Sequence, residues 1–162
     1  MERVSQTSGK AGLPRVEYED IISGQGQLNK NIYLKSSNKK GILFEVGDIL
    51  FGKLRPYLKN WLLADFRGIA VGDWWVLRSS KVSQQYIYTL IQTSKYQTVS
   101  NLSTGTKMPR SDWSQVSTAD FFFPKFQEEQ TTIGTFFSTL DSLITLHQRE
   151  YQPNFIYGGK KC

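Results

Sequence analysis

Three short stretches concentrate cations beside aromatic and backbone-bending residues. "GKLRPYLKN" (52–60) alternates Lys53, Arg55 and Lys59 with Leu54, Tyr57 and Leu58. "STGTKMPRSDW" (103–113) sets Gly105, a backbone hinge, ahead of Lys107 and Arg110, which bracket Met108-Pro109. "KSSNKK" (35–40) ends on the adjacent pair Lys39 and Lys40. The chemistry open to such groups is anion binding. Lysine and arginine hold phosphates, and a neighbouring tyrosine meets sugars. On a strand, Lys53 and Arg55 would point to one face and Leu54 to the other. The plainer alternative is a solvated basic rim. Gln25, Gln27, Asn29, Asn31 and Asn38 have the side chains that read base edges, although loops are often rich in Asn and Gln.

Bond-making chemistry is thinly provided. His147 is the one histidine, beside Gln148 and Arg149. A general base needs a positioned partner and a pocket, so a helix-packing role fits it better. No G-x-S-x-G elbow or G-x-x-x-x-G-K-[ST] phosphate loop occurs. "GQG" (24–26) lacks the strand-to-helix setting of a dinucleotide fingerprint. The Asp/Asn-Pro-Pro-aromatic signature of amino-methyltransferases is absent. One cysteine, Cys162, and one histidine cannot assemble a zinc site. The carboxylates Glu45, Asp48, Asp65, Asp73, Asp112 and Asp120 are scattered, and an enzyme built on two of them would need a cleft with a perturbed pKa.

Composition narrows the class. The 162 residues are 39% hydrophobic and 14% aromatic, too apolar for a disordered segment. No apolar run nears the roughly 20 residues of a membrane span, and no N-terminal h-region marks a secretory signal. A lone terminal cysteine suggests a reducing, cytoplasmic setting. A net charge of +6 and a pI of about 9.4 favour a polyanionic partner.

The elements that must carry these groups are read as follows. Residues 1–30 are polar and glycine-rich, mostly loop, with a short strand at "YEDII". From Asn31 to Ser79, β-rich runs separated by Gly41, Gly47-Asp48, Gly52, Arg67-Gly68 and Gly72-Asp73 predict a sheet of short strands. Pro56 belongs at a strand end or edge. Trp74 and Trp75 are adjacent, so alternation buries one and leaves the other as a surface anchor. Ile87, Leu90 and Ile91 have helical spacing. "QVSTADFFFP" reads as a strand closed by Pro124. "QEEQTTIGTFFSTLDSLITLHQREY" reads as one helix, with Glu128 and Glu129 complementing the dipole in its first turn and Pro153 ending it.

That last helix holds the clearest periodicity. Ile133, Phe137, Leu140, Ile144, His147 and Tyr151 follow a heptad seam, widened by Phe136 and Leu143. About 25 residues span roughly 37 Å. Gly134 and several threonines lower its intrinsic helicity, so packing must stabilise it. Either it is a C-terminal core helix, or its later turns project to pair with another helix.

Taken in order, "GDILFGKLRPYLKN", "VGDWWVLRS", a helix near "YIYTLIQT", "STGTKMPR", and "FPKFQEEQ" leading to "I..FF..LD..I..HQRE" resemble a target recognition domain. The similarity is to the DNA specificity subunit of type I restriction–modification systems, over about residues 14–151. It implies an α/β (α+β) fold, in which a mixed sheet of short strands with flanking helices is followed by a long coiled-coil-type helix. The implied division is a recognition domain over 1–124, a spacer or dimerisation helix over 125–152, and an irregular tail over 153–162.

In that family two halves are joined, their helices run antiparallel, and each domain reads half of an interrupted target. This sequence resembles one half. The family's lead-in is missing before residue 14, and "QPNFIYGGKKC" breaks the helix where the family continues it. A half-subunit acting as a homodimer would imply a palindromic bipartite site. The resemblance further implies a non-catalytic reader of double-stranded DNA. No cofactor would bind this chain; S-adenosylmethionine, magnesium and ATP would belong to the modification and restriction subunits it directs. The residues assigned to DNA are Lys53, Arg55, Lys59, Lys107 and Arg110, with Lys39 and Lys40 behind them. Those assigned to a helix interface are Ile133, Phe137, Leu140, Ile144 and His147. The alternative is a fragment that binds modification or specificity subunits through the helix without productive DNA recognition. Gly47-Asp48, Gly105 and Pro109 are read as folding residues.

Overall fold

The computed structural model describes residues 1–35, 37–102 and 107–150. Gly105, Tyr151 and the tail after it lie outside them. Three antiparallel pairings build the first sheet. β10 (Trp74–Arg78) lies between β1 (Glu2–Val4) and β7 (Ile49–Gly52), and β7 pairs in turn with β8 (Trp61–Leu63). In the second sheet, β6 (Gly41–Phe44) sits between β2 (Thr7–Ser8) and β9 (Gly68–Ala70), and β3 (Arg15–Val16) adds parallel to β9. A hairpin of β4 (Ile21–Ile22) and β5 (Gln27–Leu28) stands beside them. The expected α+β class therefore holds, with the sheet divided in two.

The first sheet is covered on both faces. Leu50, Leu62, Trp74 and Val76 face a core shared with Val16, Phe44 and Ala70 of the second sheet. Phe51, Trp61, Trp75 and Leu77 face helical residues. Neighbouring residues on a strand point oppositely, so the expectation that one of Trp74 and Trp75 is a surface anchor fails. Both are buried, at 1% and 3% exposure, one in each core. A strand buried on both faces reads as a continuous apolar run, and "WWVL" is such a run.

Residues 1–30 are loop and turn for the larger part, as expected, but five short strands lie within Glu2–Leu28. These strands are two or three residues long, too short to show alternation. "YEDII" is strand only at Ile21–Ile22. Tyr18–Asp20 forms a 3-10 turn, and the Glu17 amide donates to Asp20 Oδ2 at 2.8 Å.

The helices are α1 (Gln84–Gln92), α2 (Ser94–Ser100), α3 (Trp113–Thr118) and α4 (Gln127–Glu150). Ile87, Leu90 and Ile91 enter the core, as their spacing requires. The strand expected over "QVSTADFFFP" is instead α3 followed by irregular chain. Asp112 caps α3 by accepting from the Ser114 amide at 2.9 Å. Trp113 and Val116, one turn apart, face the core. Beyond α3, side chains take the place of a ladder. The Phe122 carbonyl accepts from the Tyr86 hydroxyl at 2.8 Å, and the Pro124 carbonyl from Gln130 Nε2 at 2.9 Å.

α4 packs on α1 through a stripe of small and polar residues. Gln130 is buried and its Oε1 accepts from the Ser83 amide at 3.0 Å. Gly134 is buried against the α1 backbone. Further along, Ser138, Asp141, Ser142 and Thr145 line a groove of about 670 Å³ facing Gln25, Gln27 and Tyr88. Gln27 Nε2 donates to Thr145 Oγ1 at 2.5 Å across it. The later turns thus stay alongside the domain, with the apolar seam turned elsewhere.

Candidate nucleic-acid interface

The β7–β8 connection, residues 53–60, is the centre of the basic surface. It is not a strand carrying Lys53 and Arg55 on one face. β7 ends at Gly52, Pro56–Leu58 is a 3-10 turn, and Arg55 and Lys59 take left-handed conformations at φ 50° and 55°. Proline closes the ladder here, and the backbone must reverse within eight residues.

Three separate segments fix this loop. From the 107–111 stretch, Leu54 forms an isolated antiparallel bridge with Arg110. The Arg55 amide donates to the Pro109 carbonyl at 2.8 Å, and the Ser111 amide to the Lys53 carbonyl at 2.8 Å. From the N-terminal region, the Tyr18 hydroxyl accepts from the Leu54 amide at 3.1 Å and donates to the Asp73 carbonyl at 2.5 Å. Burial pushes the Tyr18 phenol above its ordinary pKa, so it stays protonated and able to donate. From the β4 hairpin, the Gly24 amide donates to the Lys59 carbonyl at 2.9 Å.

This bridge joins two cationic stretches more than fifty residues apart. Arg110 and Lys53 converge on one carboxylate. Arg110 Nη2 lies 3.0 Å from Asp73 Oδ2 and Lys53 Nζ lies 3.6 Å from Asp73 Oδ1. Arg55 is exposed and donates to Met108 Sδ at 3.6 Å. Lys107 is exposed in a bend three residues before Arg110. Lys59 is exposed at the loop's other end. There it shares a polar groove with Gln92, Ser94, Gln97, Thr98 and Asn101.

Lys39 and Lys40 are placed differently. Lys39 Nζ lies 2.6 Å from Glu17 Oε1, within a cluster where Lys30 and Lys35 meet Glu17, Glu19 and Asp20. Lys40 is exposed beside Gly9. Several amides offered as base readers serve the fold instead. Asn29 Nδ2 donates to the Glu19 carbonyl, Asn31 caps the turn at Ile32–Leu34, and Gln27 holds α4.

Sequence reasoning missed Asp73, Tyr18 and the Gln92–Asn101 groove. Asp73 read as a turn residue, and the helical spacing of Ile87, Leu90 and Ile91 marked only a core-facing helix. Nothing in local spacing marks them, since all three join the site through contacts between segments far apart in the chain.

Of the five seam residues, Ile133 packs partly buried against the α1 core. Phe137, Leu140 and Ile144 are 46%, 37% and 55% exposed, and His147 is exposed. With Phe136 and Leu143 they form an apolar stripe facing away from the domain.

The α4 groove contains Asp65 and Asp141, and burial pushes the Asp141 carboxyl up. Among the described residues, no histidine, lysine or cysteine lines it. Among the described residues no cluster of three acids, histidines or cysteines could hold a metal, and no helix is long and apolar enough to cross a membrane.

The sequence model of the family described as the type I restriction modification DNA specificity domain matches residues 9–153. The HsdS subunit from Thermoanaerobacter tengcongensis has the same fold, with a TM-score of 0.66 and 20% identity over 90% of this chain and 38% of that one. A chain from a structural study of complex assembly and conformational transition of the type I R-M system gives 0.64 and 17%, with the same coverages. The chain therefore spans 38% of the length of these solved structures. No curated protein sequence matches it.

Proposed function

The chain belongs to the type I restriction–modification DNA specificity domain family, and on that premise we propose that it binds duplex DNA as the recognition half of a specificity subunit. Residues 1–124 form the reading unit, and the segment over 125–152, which includes α4, is the spacer. The bound duplex meets Lys53, Arg55, Lys59, Lys107 and Arg110 through its phosphates, while polar side chains of the adjoining groove face base edges. The chain performs no chemistry; it positions modification and restriction subunits that do.

The observation that carries this reading is the bridge between Leu54 and Arg110. It brings two basic stretches, far apart in the chain, together. The test is fluorescence anisotropy with a random-sequence duplex across a salt series. Wild-type chain binds with a salt-dependent affinity. Arg110→Ala and Lys107→Ala each lower the slope by about 1. If both leave affinity and slope unchanged, the contact assignment is wrong.

A second reading rests on the exposed stripe of α4: a module that assembles with other subunits through this helix and contributes little DNA affinity itself. Among the described residues, Phe137, Leu140 and Ile144 lie outside both buried core clusters. Absent DNA binding, together with helix-dependent assembly, would favour it.

A further inference from the structure

The tip of the 53–60 loop carries two adjacent apolar side chains outward, Tyr57 at 54% and Leu58 at 40% exposure. They stand between the cations Arg55 and Lys59, and Met108, 48% exposed, adjoins at Arg55. Scattered exposed apolar residues need no explanation. This pair differs because the fold holds it rigidly. Pro56 beneath it is buried. The Leu58 amide donates to the Arg55 carbonyl and the Lys59 amide to the Pro56 carbonyl, both at 2.9 Å. Arg55 and Lys59 are the non-glycine residues with positive φ among those described, one at each end of the turn. Such conformations are costly for side-chain-bearing residues and persist where surrounding contacts impose them.

We propose that Tyr57 and Leu58 are a wedge that inserts between flanking phosphates and presses on a base step of the bound duplex. The proposal rests on the DNA-binding reading above. Arg55 and Lys59 grip the backbone on either side, so the apolar tip is delivered to the groove between them. A rigid tip spends little conformational freedom on insertion. Apolar side chains driven against a base step partly unstack it, so the energy of binding depends on how readily that step opens. This gives sequence preference without hydrogen bonds to bases.

The experiment uses two duplexes of about three helical turns, identical except that one carries a single central mismatch that lowers the unstacking cost. Affinities are measured across a salt series. Wild-type chain prefers the mismatched duplex. Tyr57→Ala/Leu58→Ala loses roughly tenfold affinity for it, loses the preference, and keeps the wild-type salt slope. Tyr57→Phe retains all three properties. Circular dichroism confirms that the double variant is folded. A double variant that keeps the preference, or that lowers the slope as Arg110→Ala does, overturns the wedge while leaving DNA binding intact. Wild-type chain that binds neither duplex at low salt overturns the DNA-binding reading and the wedge with it.

Discussion

Asp73 holds Arg110 at 3.0 Å, and Lys53 stands at 3.6 Å from the same carboxylate. The acid keeps the cations ordered before a ligand arrives. It also competes with any phosphate that would replace it.

Removing that competition strengthens non-specific binding. Asp73→Asn frees one positive charge at nearly unchanged shape, and the slope of log affinity against log salt steepens by about 1. Anisotropy with a random-sequence duplex checks this. The side chain is partly exposed, so melting temperature moves little.

The α1–α4 contact has no room for a side chain. A Cβ on Gly134 would lie 2.5 Å from Gln85 Cβ and 2.7 Å from the Gln85 backbone carbon. Gly134→Ala gains helix propensity of about 1 kcal/mol and loses more by forcing α1 outward. We expect a net destabilisation of about 1–2 kcal/mol, read as a lower midpoint in urea.

The outward stripe of α4 can be changed without touching the fold. Leu140→Asp with Ile144→Asp leaves the melting temperature of the isolated chain nearly unchanged, because both side chains are exposed. It removes self-association or subunit assembly, measured by size-exclusion chromatography with light scattering. Assembly that survives both substitutions assigns the interface elsewhere.

Acid weakens the N-terminal ion cluster. Hydrogen bonds from Lys35 and Lys39 hold the Glu17 carboxyl below its ordinary value of 4.5. At Asp20, burial opposes ionisation, but the Glu17 amide, Lys30 and Lys35 outweigh it and hold the carboxyl below 3.8. Both groups bind protons more readily when unfolded, so their stabilisation is complete above the unfolded values and disappears as pH falls through the lower folded ones. Urea unfolding should show stability flat from neutrality to about pH 5, then a loss of about 1–3 kcal/mol below it. Glu17→Gln with Asp20→Asn flattens the profile.

What could be read in advance followed the length of each signal. α4 was legible because a seven-residue repeat runs through about four turns of one helix, from Ile133 to His147. Ile87, Leu90 and Ile91 gave α1 for the same reason. Of the strands before β6 only β4, within "YEDII", was legible, since β2, β3 and β5 hold two residues each, and no alternation fits in two. α3 was misread because Phe121, Phe122 and Phe123 look like strand, while the capping hydrogen bond of Asp112 starts a helix just before them.

By itself the sequence determined the chemistry available: a basic, aromatic chain with one histidine, one cysteine, two clusters of cations near residues 55 and 110, and an apolar seam on a terminal helix. Tertiary structure decided where that chemistry meets. A bridge outside both sheets seats Arg110 against Leu54, and the turn before β10 brings Asp73 to Arg110 and Lys53. Polar packing of Gln130, Gly134 and Thr145 decides that the seam faces outward. Register and helix rotation are set by contacts between residues far apart in the chain, and no local pattern of residue types records them.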